Sequence, residues 1–143
     1  MLANILMKPY LFIFILLLTS CFPSMQNGPD PHSIKFEEVK FNQIIIYFTQ
    51  NNSVKNFSID DPPSDFPEDI LDEMKKIGFD TYRNIGQNKV FTCGSGVVGK
   101  CWGFIYGDFS SEDVQHPPVI GNEDKLYLTY LEKLKGNWYR FGA

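Results

Sequence analysis

Apolar residues fall first in one leading block, at residues 10–18, and then in separate clusters of two different periods. Residues 34–41 and 44–49 are rich in Ile, Phe, Val and Tyr and read as two strands joined tightly at Asn42-Gln43. The second, IIIYFT, is apolar on both faces, the pattern of a central strand covered on both sides. Residues 65–77 follow the other period. Phe66, Ile70, Leu71, Met74 and Ile77 form one stripe at helical spacing. Asp65 and Glu68 are placed as a capping box, and Pro67 is tolerated where amides have no helical partner. Glu68 and Asp69 stand early and Lys75 and Lys76 late, as the helix dipole favours, and Gly78 is a natural stop.

Strand patterns then resume. Residues 80–85 and 89–93 flank Gly86-Gln87-Asn88 as a hairpin, and 101–106, CWGFIY, is a further strand. Residues 107–124 are polar, contain Pro117-Pro118 and read as a long loop. Residues 126–133 and 138–141 pair across Leu134-Lys135-Gly136-Asn137. The order predicts an α+β domain, an antiparallel sheet with one amphipathic helix packed on it.

The leading block has its own logic. Lys8 precedes the apolar run, and Thr19, Ser20 and Cys21 follow it, which is the layout of an export signal. The run falls well short of the ~20 residues that a membrane span needs. Leu18-Thr19-Ser20-Cys21 resembles the lipobox of bacterial lipoproteins, and the resemblance is limited to residues 7–21. It implies cleavage before Cys21 and acylation of that residue, so that two or three chains anchor the protein in a membrane. Phe22 in place of Asp implies the outer membrane rather than the inner, by the enterobacterial sorting pattern. Met1 and Met7 are both possible starts. The organisation expected is thus a signal peptide at 1–20, lipidated Cys21 with a flexible tether to residue 33, and a single domain at 34–143. A secretory signal of eukaryotic type is the alternative, to which the triplets Asn51-Asn52-Ser53 and Asn56-Phe57-Ser58 would add glycosylation sequons.

Composition narrows the partners. The chain has 143 residues and a formal net charge of −4, without the clustered Lys and Arg that nucleic acid requires. Aromatic residues at 15% argue for a packed core and against disorder.

The segment from Cys93 to Cys101 contains Gly94-x-Gly96-x-x-Gly99 and Gly94-x4-Gly99-Lys100, which imitate nucleotide-binding loops. Both motifs need a helix next, whereas CWGFIYG alternates as a strand, so no nucleotide and no cofactor is expected. The glycines suit a hairpin tip. With Cys21 taken by lipid, Cys93 and Cys101 are the pair left for a disulfide in an oxidising compartment. A metal site lacks partners for them, since His32 lies in the tether and His116 in the loop.

Trp102, Phe104 and Tyr106 share one strand face and are a candidate aromatic binding row if exposed, or core if covered. His116, with Glu112 and Asp113 nearby, is the one candidate base, but no nucleophile accompanies it, so no catalytic residue is assigned. Glu37-Glu38, neighbours on an expected strand, would point to opposite faces. Asp60-Asp61 read as surface acids. The function expected is a non-catalytic binding, inhibitory or protective module of the cell envelope, attached to the membrane through its lipid and facing an envelope protein or polymer, with a basic partner suited to its acidity. The alternatives are an envelope hydrolase using His116 and a structural subunit that docks through an exposed sheet edge.

Overall fold

A computed structural model describes residues 31–95 and 101–143. The signal segment, Cys21, both candidate starts and the tether up to residue 30 lie outside the described residues, as do residues 96–100 at the glycine-rich tip. Pro31–Ser33 form a short 3-10 turn.

The first correction falls on residues 34–49, where two strands were expected. Residues Glu38–Gln50 form a single helix, α1. Phe41, Ile44, Ile45 and Phe48 are its buried residues, and their spacing of three, one and three is one helical stripe. Burial of that stripe outweighs the strand preference of three consecutive Ile, because propensity is a weak prior beside tertiary packing. Glu37 and Glu38 therefore stand at a helix start, paired with Lys40 at 2.9 Å and with Lys135 respectively.

The second helix, α2, spans Glu68–Ile77. Its expected stripe is correct: Met74 is buried, and Phe66, Ile70, Leu71 and Ile77 pack against the same cluster. The Asp65–Glu68 capping box is absent. The N-cap is Pro67, with no side-chain cap, and Leu71 N–H donates to Pro67 O at 3.0 Å. Gly78 ends the helix at φ +94°, in the left-handed region that only glycine enters freely.

The strands are β1 Phe57–Ser58, β2 Thr81–Ile85, β3 Asn88–Ser95, β4 Cys101–Tyr106, β5 Val119–Ile120, β6 Leu126–Tyr127, β7 Tyr130–Lys133 and β8 Trp138–Gly142. Six make one antiparallel sheet in the order β1-β2-β3-β4-β8-β7, and β5 and β6 make a separate ribbon. The α+β architecture is as expected, with two helices on one sheet face in place of one. The single strand expected at 126–133 is divided between the ribbon and the sheet. The long loop holds a short helix, α3 (Ser111–Gln115), opened by a capping box in which Ser110 and Asp113 bond reciprocally.

Strand side chains alternate between two cores. Under α1 and α2 lie Tyr82, Phe91, Phe104 and Trp138, with Phe48 stacked on Tyr82 at 3.8 Å and Phe41 edge-on to Phe104 at 4.8 Å. The opposite face buries Ile85, Val90, Ile105, Tyr139 and Phe141 against Phe109, Ile120, Leu126 and Leu128. Between β3 and β4 the register shifts, with Thr92 opposite Gly103 and Gly94 opposite Trp102, so Cys93 is the extra residue of a bulge. Gly103 is needed there, because a Cβ would lie 2.0 Å from Phe91 O.

Candidate functional site

The structure separates the residues that the sequence brought together. Cys101 is opposite Ser95, while Cys93 occupies the bulge two residues before Ser95, beyond the Gly94–Trp102 pair. Cys93 is buried in the core under the helices, and Cys101 packs against the other core. Both thiols are free. The expected disulfide is therefore not formed here, because strand alternation and the bulge place the two side chains on opposite faces. Burial raises the Cys93 thiol pKa well above its usual range, with Asp80 adding to the shift and Arg140 opposing it. Such a thiol is an inert packing group.

The aromatic row is covered. Phe104 is fully buried, and Trp102 and Tyr106 are half-buried against the same cluster. Tyr106 packs edge-on to Trp138 at 5.2 Å, whose indole N–H donates to Asn42 Oδ1 on α1 at 3.1 Å. The row contributes to the core, with Trp102 and Tyr106 at its partly exposed margin. His116 is exposed at the end of α3, with its backbone N–H donating to Glu112 O at 2.7 Å. Gly94 lies on β3 opposite Trp102 of the antiparallel β4, while Gly96 and Gly99 lie outside the described residues.

Two arrangements arise that no motif announced. One is a polar network where the chain after α1 meets the sheet. Lys89 is only 4% exposed, and its ammonium donates to Asn52 Oδ1 and to Asn84 Oδ1, the latter at 2.9 Å. Asn84 N–H donates to Asn56 Oδ1 at 2.7 Å, and Arg83 pairs with Asp124 beside it. Burial lowers the Lys89 pKa, since amide oxygens offset desolvation less than a carboxylate would. The network fastens the 51–56 segment onto β2 and β3, and Asn52 and Asn56, both from the sequon triplets, are used in it.

The other arrangement is a partly open groove of about 620 Å³ between α1 and α2. Fully buried Ile44 and half-buried Ile70 form its base. The α1 side carries Gln43 and Ile46, and the α2 side carries Asp69, Asp72, Glu73 and Lys76. Ile46 is 53% exposed, and Val39, two turns earlier on α1, is 73% exposed. Glu73 pairs with Lys76 at 3.7 Å through one oxygen, while its other oxygen is shielded and has no hydrogen-bond partner among the described residues. One wall of the groove is thus uncharged, with Gln43 and Ile46, and the other is predominantly acidic, with three carboxylates and Lys76. His116 is not among its lining residues. The groove was missed because it needs α1. The helical spacing of Phe41, Ile44, Ile45 and Phe48, with Ile46 left outside that stripe, was the signal that would have shown it.

Comparison with known proteins gives no counterpart: no family model matches the chain, and no curated protein or solved structure matches it. Among the described residues no helix is long and apolar enough to cross a membrane.

Proposed function

We propose that the protein is a bacterial envelope lipoprotein, anchored through acylated Cys21, whose domain is a non-catalytic binding module of inhibitory or protective type. The leader supports the anchor: Lys8, a short apolar run and Leu18-Thr19-Ser20-Cys21 are what export and acylation require. The groove is the observation that carries the binding role. It offers apolar surface and carboxylates side by side and collects no set of nucleophile, base and acid, so it suits recognition better than turnover. A hydrolase centred on His116 has no specific observation in its favour, since that side chain is exposed and outside the groove.

The test uses the full chain expressed in a bacterial host. Mass analysis of the mature N-terminus should find Cys21 carrying two or three acyl chains, with the protein in the membrane fraction. Cys21→Ala should remain unprocessed and unacylated. If Cys21→Ala is processed and stays membrane-bound, the anchor is wrong. A hydrolytic activity that is abolished by His116→Ala would overturn the non-catalytic reading.

A further inference from the structure

We infer that the groove between α1 and α2 receives a cationic amphipathic helix from a protein partner, an inference that rests on the binding role proposed above. Three observations combine. The first is charge. From Asp60 to Glu73 the chain carries seven carboxylates and no Lys or Arg, so this stretch is more negative than the whole chain at −4. Asp69 and Asp72 line the groove, and neither belongs to any salt bridge found among the described residues. They are three apart on one helix, where like charges mildly disfavour the helix. A bound cation would relieve that repulsion.

The second observation is the opposite wall. Ile46 is an exposed apolar side chain in the α1 wall of the groove, across from the helix that carries those carboxylates. A ligand that is only cationic leaves Ile46 wet, and one that is only apolar leaves the carboxylates unanswered. An amphipathic segment satisfies both at once, with apolar side chains over Ile46 and Lys or Arg toward Asp69 and Asp72. The third is shape. The groove is lined over residues 43–46 of α1 and 69–76 of α2, and that second stretch spans about 12 Å, room for about two turns of a third helix. Such a helix would complete a three-helix layer over the sheet. Complementary charge would also speed its capture, in a salt-dependent way.

The test titrates the full lipidated protein, held in detergent, with three synthetic helical peptides of about four turns. They share Leu on one face and carry Lys, Gln or Glu on the other. The Lys peptide should bind at least about tenfold more tightly than the Gln peptide at low salt, with the advantage shrinking past about 0.15 M salt. Asp69→Asn with Asp72→Asn should weaken the Lys peptide about five- to tenfold and leave the Gln peptide unchanged. Ile46→Asp should weaken both. Equal binding of the Lys and Gln peptides, or no loss in the double Asn variant, overturns the cationic partner. No binding by any peptide overturns the helix occupant. The wider binding role falls separately, if a photocrosslinking residue at position 46 also gives no adduct in the native envelope.

Discussion

The two faces of the central sheet are buried by different means. Under α1 and α2 the core is aromatic and interlocked: Phe41, Phe48, Phe79, Tyr82, Phe91, Phe104 and Trp138 meet in stacked and edge-on pairs. On the other side the cover is a two-stranded ribbon, loop residues and the five-residue α3 over a largely aliphatic layer. There the Tyr139 hydroxyl donates to Phe109 O at 3.0 Å to hold the loop down. Each cover also has an outer surface. The helices present Val39 and Ile46 beside carboxylates, whereas the ribbon presents Val119 and Tyr127, which are register partners. The contrast teaches that the helix face combines the stiffer core with the more polarised exterior. That combination suits a binding surface, because a rigid base keeps the two walls of a groove in place without an ordering cost at each encounter.

Unequal core substitutions are the strongest way to break this contrast. Phe48→Ala should cost about 3–5 kcal/mol in denaturant unfolding, because Phe48 is fully buried and stacked on Tyr82. Leu126→Ala in the ribbon should cost about 2–3 kcal/mol, since a ribbon held at few points can settle into the space. Equal losses would remove the distinction between a rigid and an adaptable cover.

Lys89 comes next. Lys89→Ala leaves Asn52 Oδ1 and Asn84 Oδ1 without their donor and should cost about 1–3 kcal/mol. It also carries a pH signature. A lysine whose folded pKa is lowered binds its proton less well when folded than when unfolded. Its contribution to stability is therefore least below the folded pKa and increases with pH up to the ordinary lysine value of 10.5. Unfolding of the native protein minus that of Lys89→Met should show this increase, and a flat difference would contradict the buried placement.

On the loop-covered face, Ser110→Ala should open the capping box and speed amide exchange in α3 while global unfolding changes little. Asp113 adds a small dependence on the acid side. Hydrogen bonds from the Ser110 backbone and side chain hold its pKa below the ordinary 3.8, so its support is present above that value and is lost as pH falls through the lower folded pKa. The smallest stability effect is expected for Ile46→Ser, within about ±0.5 kcal/mol, because the side chain is already half in water. Binding at the groove should nonetheless suffer.

Legibility in the sequence followed the same physical divide. Strands β2, β4 and β8 were readable from alternation and turn chemistry, and α2 from its stripe, charge order and Gly78. β2 has polar positions at Thr81, Arg83 and Asn84, whereas β4 is followed by Gly107, β8 is preceded by Gly136-Asn137 and α2 ends at Gly78, so polar pattern or turn residues declare each. Helix α1 was not readable as such, because Ile44, Ile45 and Ile46 stand together and satisfy strand preferences as well as a helical stripe. Only packing of Phe41 and Phe48 across the sheet decides between the two. The cysteines were paired by elimination, whereas the bulge that puts Cys93 and Cys101 against different cores is invisible without the register. With α1 hidden, one wall of the groove was hidden too, while the acids at 60–73 lay in plain view and were read as surface acids, a helix cap and partners of the helix dipole rather than as one wall.

The most direct measurement places one photocrosslinking residue at position 46 or at position 127 of the lipidated protein in its native envelope. The account predicts an adduct from position 46, mapped by mass spectrometry to a Lys- or Arg-rich amphipathic helix of one partner, and little or none from position 127. Adducts from position 127 alone, or a position-46 adduct on an acidic or extended segment, would contradict it.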